Sequence, residues 1–257
     1  MKTLIIFARA PIAGQVKTRL ARCPALGEEG ALKLYRAFLE DTFTMAVRTS
    51  AETVNVSFTP DDQEEAMRGI LESLCLGRKN ERRFTFSPQK GDSFSRRVAN
   101  AFRHAERFGG EDLVIIGADA PLLKPDMVDR AFDFIHENSG IVLGPSGEGG
   151  MYLIGMEAGS PVDFAQVFGA GSEFENMLNQ AMTGNIPLAV LAETLDVDVE
   201  ADLVGLLGLA RAMEYQRRTD KDMYAPERTI KAINEMRLAV EREAGGTRDK
   251  RVVIADE

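Results

Sequence analysis

Short apolar runs alternate with amphipathic helical segments along this chain, an alternation that predicts an α/β fold with a mainly parallel sheet. Three observations carry that prediction. Seven strand-like runs are separated by helix-like stretches. Hydrophobic residues make up 44% of the 257, a globular proportion. No internal repeat or low-complexity block interrupts the pattern. The length suits one large domain or two small ones.

The first run, Thr3–Phe7, leaves for a Gly- and Pro-containing loop. A helix follows over Glu29–Val47, with Leu32, Tyr35, Leu39 and Phe43 at three- and four-residue spacing. Val54–Phe58 reads as a strand, Asp62–Leu74 as a helix, Phe84–Ser87 as a strand and Phe94–Phe108 as a helix. Leu113–Gly117, a helix at Asp126–Glu137, and strands at Ile141–Leu143 and Tyr152–Met156 come next. Glu173–Met182 predicts a helix, Leu188–Leu191 a strand and Asp202–Arg217 a further helix. Pro226 is placed to open another, running to about Ala244 and ended by Gly245-Gly246. Thr247–Glu257 reads as a loose tail in which Val252-Val253-Ile254 could add a strand. Residues 1–218 are thus expected to form one domain, and residues 219–257 a charged C-terminal helix and tail. That helix either covers the sheet or meets a second subunit in a homodimer.

The net charge is -9, yet the first 27 residues hold five basic side chains and no acidic one. An acidic chain lacks the broad basic surface that nucleic acid requires, whereas one basic loop suits a small anion. Only two cysteines occur, Cys23 and Cys75, without metal-like spacing, which points to a reduced, cytoplasmic protein. The start Met1-Lys2-Thr3 is followed by an apolar stretch cut by Arg9, too short for a signal-peptide core and so read as a strand. No run reaches the length of a membrane span. His104 and His136 are read as ordinary surface or half-buried residues.

Five constellations could carry chemistry. The loop with Arg9, Gly14, Lys17, Arg19 and Arg22 can hold a phosphate: Gly14 admits close backbone approach, Lys17 is a point charge and Arg19 a planar fork. It reads equally as a solvated turn packed by Leu20. It is not a P-loop, because Val16 stands where the second glycine belongs. Asp119, after the buried run Leu113–Ile116 and Gly117-Ala118, would emerge at the carboxyl edge of the sheet, where Mg²⁺ or Mn²⁺ is held with substrate phosphates. The alternative is an Asp that starts a turn or caps the next helix. Gly144-Pro145-Ser146-Gly147-Glu148-Gly149-Gly150 offers bare backbone beside one carboxylate, or a long hairpin with structural glycines. Asp196 and Asp198 share one side if extended, and repel unless a cation is near; Asp198 could instead cap the following helix. Finally, Gln89 could bond a base or ribose and Arg97 could face the site or solvent.

In order, F-A-R-A-P-x-x-G-x-V-K-T-R-L, G-A-D-A-P, G-P-x-x-x-G-G-x-Y-L-I-G and D-V-D occur at domain-scale spacing. The set resembles the GT-A-type nucleotide-diphospho-sugar transferases of bacteria and archaea, in the branch labelled arsenosugar-biosynthesis glycosyltransferase-like. More distantly it is similar to molybdenum-cofactor and phospholactate guanylyltransferases. The resemblance covers about Met1–Leu207. It implies a Rossmann-like three-layer sandwich that binds a nucleoside di- or triphosphate over the first strand's loop. By position, Ala8, Arg9, Gly14, Lys17, Arg19, Gln89, Arg97 and Gly117 would contact the nucleotide, and Asp119 would be the metal aspartate. Asp198 matches the second acidic position of related nucleotidyltransferases. Lys17 and Asp119 would then be catalytic, joined by Glu148, a candidate base or acceptor contact by its place alone. The chain departs from the family's usual D-G-G-Y at Glu148-Gly149-Gly150-Met151 and from G-T-D-S-P at Gly117-Ala118-Asp119-Ala120-Pro121. Val167-Phe168-Gly169-Ala170-Gly171 replaces its aromatic segment.

The expected activity is Mg²⁺- or Mn²⁺-dependent transfer from a nucleotide-activated donor, foremost a nucleotide sugar, to a small acceptor. Nucleotidylyl transfer with release of pyrophosphate is the alternative, and nucleotide binding without turnover a third.

Overall fold

The computed structural model describes residues 1–242 and 250–255, and the chain divides into two compact units. The first comprises Met1–Ala10, Thr42–Ala118 and Leu123–Thr194. The second comprises Pro11–Asp41, Asp119–Leu122 and the chain from Leu195 onward. Helix α1 (Gly27–Ala46) contributes its first part to the second unit and its last turn to the first.

The first unit is built on a seven-stranded sheet: β1 (Lys2–Arg9), β2 (Thr53–Thr59), β3 (Phe84–Pro88), β4 (Asp112–Gly117), β5 (Ile141–Pro145), β6 (Met151–Glu157) and β7 (Leu188–Val190). Their order is β3-β2-β1-β4-β6-β5-β7. Only β6 runs antiparallel to its neighbours β4 and β5; the remaining pairs are parallel. The sheet is therefore mixed and mainly parallel, as the alternation predicts. The central strands are covered on both faces, which is why Leu4–Ile6 and Leu113–Ile116 are continuous apolar runs rather than alternating ones.

Helices α2 (Glu64–Ser73), α3 (Arg78–Glu81), α4 (Phe94–Arg107), α5 (Pro125–Asn138), α6 (Phe164–Val167) and α7 (Glu173–Thr183) complete this unit. Val98 and Phe102 of α4, Phe164 of α6 and Met177 of α7 pack with Ile5, Ile115 and Ile154 on one face. On the other face α5 lies against β4, β5 and β6, so close that a Cβ on Gly155 would meet Ile135 Cδ1 at 2.9 Å. Ser93 and Ser172 begin α4 and α7 with the hydroxyl caps expected of such positions, accepting from the Arg96 and Glu175 N–H groups. Arg83, just before β3, donates to the carbonyls of Val47 and Thr49 and so holds the turn that leaves α1.

The second unit has its own core. Leu20, Leu26, Leu34 and Phe38 pack with Val197, with Leu203 and Leu206 of α8 (Glu200–Gln216), and with Ile230 and Ile233 of α9 (Glu227–Glu235). A hairpin of β8 (Leu238–Arg242) and β9 (Lys250–Ile254) closes it. The expected helix to Ala244 ends here at Glu235. Arg237 adopts φ +51°, and the chain turns into β8 so that Leu238 and Val252 both enter this core. The strand suspected at Val252–Ile254 is β9. Gly245-Gly246 lie outside the described residues.

Pro226 precedes α9 and has no side chain that could cap it. Asp41 of α1 does so instead: Oδ1 accepts from the Arg228 N–H at 3.1 Å and Oδ2 from the Thr229 N–H at 2.7 Å. Burial lifts the Asp41 pKa to about 6, against the opposing pull of those N–H donors and the Arg228 guanidinium. Asp41→Asn turns an amide N–H toward one of the two donors. It should lower the unfolding free energy by about 1–3 kcal/mol at pH 7, measured by urea denaturation. Between the ordinary value of 3.8 and about 6, the folded protein keeps a proton that the unfolded chain has released. Stability from this carboxyl is therefore complete below about pH 4 and declines as pH rises through 6. The gap between wild type and variant should be wider at pH 4 than at pH 7.

Candidate functional site

The loop after β1 is pinned from below and strained above. Val16 and Leu20 are buried, and Gly14 turns the chain at φ +71°. Lys17 itself sits at φ +49°, a left-handed conformation that non-glycine residues avoid. That conformation accompanies a side chain only 4% exposed, directed among carboxylates.

The acidic partners are aligned by one apolar residue. Val197 is fully buried in the core of the second unit, and its N–H donates to the Asp119 carbonyl at 3.0 Å. With Val197 inward, the flanking Asp196 and Asp198 are directed toward Asp119. Lys17 Nζ lies 2.8 Å from Asp119 Oδ1 and donates to Asp198 Oδ1 at 2.9 Å. Arg19 donates to the other Asp198 oxygen at 2.7 Å. Asp202, in the first turn of α8, accepts from the N–H groups of Asp198 and Val199 at 2.8 and 2.9 Å. Asp202 thereby caps the helix, the part that the sequence offered to Asp198.

Each charge perturbs the others. Burial would depress the Lys17 ammonium, but Asp119 and Asp198 outweigh it and hold its pKa above the ordinary 10.5. Burial would raise Asp198, and Lys17 and Arg19 bring it below the ordinary carboxylate value. Asp196 has no cationic partner in contact; burial first, then repulsion from Asp119, raise its pKa to about 6. Its Oδ1 is buried without a hydrogen-bond partner, and Asp119 Oδ1, though ion-paired, is likewise without an aligned hydrogen bond.

Those orphaned oxygens bear on a cation. One carboxylate oxygen from each of Asp119, Asp196 and Asp198 can be chosen so that all lie within 4.8 Å of one another. All are hard oxygen donors, the type that Mg²⁺ and Mn²⁺ take. The three carboxylates Asp119, Asp196 and Asp198 share the two cations Lys17 and Arg19, which leaves negative charge for a bound cation to meet. The donor set therefore fits such a metal. Among the described residues no other group of three His, Cys, Asp or Glu offers this.

Of the residues singled out in the sequence, Lys17, Arg19, Asp119 and Asp198 thus come together in the second unit, which also contains Gly14. Asp196 joins them; its pairing with Asp198 is visible in the sequence, but only the fold distinguishes the orphaned carboxylate from the ion-paired one. Ala8, Arg9, Gln89, Arg97, Gly117 and Glu148 belong to the first unit. Arg9 is the exposed last residue of β1, and Gly117 the last of β4. Gln89 is buried and donates both amide protons to backbone, to Ala8 O at 3.1 Å and Ser57 O at 3.0 Å. Arg97, in the first turn of α4, has a buried Nε without a hydrogen-bond partner. Glu148 is exposed at φ +59° between β5 and β6. The glycines around it make room for the protein's own side chains. A Cβ on Gly144 would lie 2.4 Å from Tyr152 Cζ, and one on Gly149 2.7 Å from Ser172 Oγ. His136 pairs with Asp112 at 3.3 Å and His104 packs on Phe108; neither joins the acidic cluster.

Comparison with known proteins identifies a family and a fold. The model of a family described as "Uncharacterized protein conserved in bacteria (DUF2064)" matches residues 42–170. No curated protein matches the chain. The fold is that of nucleotide-diphospho-sugar transferases. A candidate nucleotide-diphospho-sugar transferase from Desulfovibrio desulfuricans G20 superposes with a TM-score of 0.69 at 24% identity, over 92% of this chain and 97% of that one. The 4-diphosphocytidyl-2C-methyl-D-erythritol synthase of Anaerococcus prevotii gives 0.51 at 10% identity, over 82% and 99%. A CMP:2-keto-3-deoxy-manno-octonic acid synthetase complexed with CTP gives 0.50 at 13%, over 84% and 100%.

Removing the ammonium should expose the carboxylate repulsion. Lys17→Met should destabilise the apo protein by about 1–3 kcal/mol, less than for a fully buried pair because Asp119 and Asp198 are about 40% exposed. Millimolar Mn²⁺ should restore more melting temperature to the variant than it adds to wild type. A second expectation concerns packing: Gly144→Ala should cost about 1–3 kcal/mol in denaturant melts, since the Tyr152 ring must move.

Proposed function

Since the chain belongs to the DUF2064 family of uncharacterized bacterial proteins, we propose for it a metal-dependent transfer from a nucleotide-activated donor, foremost a nucleotide-diphospho-sugar, to a small-molecule acceptor. The observation that carries this reading is the buried Lys17 ammonium shared by Asp119 and Asp198, beside the orphaned Asp196 oxygen. A lysine this well ion-paired stays charged at any physiological pH, and carboxylates this crowded favour a divalent cation. Together they suit a polyphosphate bridged to a metal.

Asp119 and Asp198, with Asp196, would hold Mg²⁺ or Mn²⁺, which when bound supplies Lewis-acid neutralisation of charge on the leaving phosphate oxygens. Lys17 would add a fixed positive charge on the same oxygens. Arg19, 61% exposed at its side chain, can extend its fork to a phosphate while Lys17 keeps Asp198 in place. Gly14 would let the backbone approach the phosphates, and Arg9, Arg97, Gln89, Ala8 and Gly117 would contact the rest of the nucleotide. Glu148 is assigned to the acceptor, as contact or base. In glycosyl transfer the acceptor oxygen bonds the anomeric carbon. The bond from that carbon to the diphosphate breaks, the nucleoside diphosphate leaves with the electron pair, and the hydroxyl proton passes to a base or to water.

A second reading, nucleotidylyl transfer, is supported by the fold shared with the cytidylyl enzymes. The by-product separates the two: nucleoside diphosphate from a nucleotide sugar, or pyrophosphate from a nucleoside triphosphate. Binding without either product would leave a nucleotide-binding protein that does not turn over.

A thermal-shift and calorimetric screen of nucleotides and nucleotide sugars, with and without Mn²⁺, tests the proposal. Stabilisation should require both components and should vanish in Asp119→Asn. Lys17→Ala should weaken nucleotide binding by about 1–3 kcal/mol, the loss of a charge-assisted hydrogen bond. Unchanged affinity would remove Lys17 from the phosphate site.

A further inference from the structure

The first unit contains an apolar cavity of about 100 Å³ at one end of its sheet. Phe7 lies two residues before the end of β1 and pairs with Gly117, the last residue of β4. Met151 and Tyr152 open β6, which runs the opposite way and so starts at this same edge. These four residues, with Phe94 and Phe168, line the cavity. It therefore lies at the carboxyl ends of β1 and β4, where α/β sheets take their ligands.

Its chemistry is one-sided. No charged side chain lines it. Its one side-chain hydroxyl, on Tyr152, is already bonded to the Ala192 carbonyl at 3.0 Å. Phe94 is 48% exposed although it occupies the first turn of α4. Its ring makes edge contacts with Phe7 at 5.7 Å and Phe168 at 4.8 Å. A half-exposed phenyl in this position extends the apolar wall to solvent instead of filling the core. A sugar or phosphate placed here would lose its water and find no side-chain partner. The volume corresponds to roughly three waters, so one aromatic ring or a branched alkyl group would fill it and extend past Phe94 toward solvent.

We propose that this cavity is the acceptor subsite and that the acceptor is a hydroxylated molecule carrying an apolar part, a single aromatic ring or a compact alkyl group. The word acceptor rests on the transferase reading above; the binding of an apolar group does not.

The test uses the whole chain without nucleotide. Phenol and cyclohexanol serve as apolar probes and myo-inositol as their polar counterpart, followed by saturation-transfer NMR and calorimetry. Phenol and cyclohexanol should bind and inositol should not. Phe94→Ala should weaken phenol binding about tenfold, and Phe94→Leu should recover part of the loss. Inositol binding as tightly as cyclohexanol, no binding of either apolar probe, or phenol affinity untouched by Phe94→Ala would each overturn the subsite. A parallel titration with nucleotide and Mn²⁺ keeps the two readings apart. Nucleotide binding without probe binding removes the subsite alone. Probe binding without any nucleotide binding keeps an apolar-ligand site and removes its assignment to an acceptor.

Discussion

A lysine ammonium almost wholly withdrawn from water is tolerable only beside compensating carboxylates. In this protein Lys17 has two within ion-pair distance, supplied by segments about a hundred and about a hundred and eighty residues further along the chain. The second unit depends on that constraint. Three separated pieces of chain make it up: Pro11–Asp41, which holds the loop after β1 and most of α1, the four residues from Asp119, and the C-terminal part. Without Lys17, their acidic side chains would repel one another. The Lys17 backbone accepts a left-handed conformation in the same loop, and one Asp196 oxygen accepts burial without a hydrogen-bond partner. Such compromises are characteristic of sites arranged for a ligand rather than for stability.

Apolar burial supplies the alignment that the charges need. Val197 enters the core and thereby orients the two aspartates around it, while its N–H grips the Asp119 backbone. Leu20 does the same for the basic loop. Asp41 closes the N-terminus of α9, which Pro226 leaves uncapped, and so joins α1 to the C-terminal helices. The precision of a polar cluster here derives from neighbours that are not polar.

How legible this was varies with the kind of signal. Each of the seven strands lies within two residues of where the apolar runs put it, because core-facing strand positions must be apolar, in continuous runs in β1 and β4 and in alternation in β2. The helix at Gly27–Ala46 follows from the spacing of Leu32, Tyr35, Leu39 and Phe43. The C-terminal helix was less legible. Residues 236–242 are compatible with continued helix locally, and only the burial of Leu238 against the partner strand turns them into β8. The glycine-rich segment illustrates another limit: Gly144 answers to the Tyr152 ring and Gly149 to Ser172, contacts that no local pattern announces.

From the sequence alone came the α/β class, the strands, and the residue types suited to phosphate and metal, since periodicity and charge are local properties. Their convergence belongs to tertiary structure. Which carboxylates pair with Lys17, and which one is left with an orphaned oxygen, are decided by distances between segments far apart in the chain. A one-dimensional pattern carries no such distances.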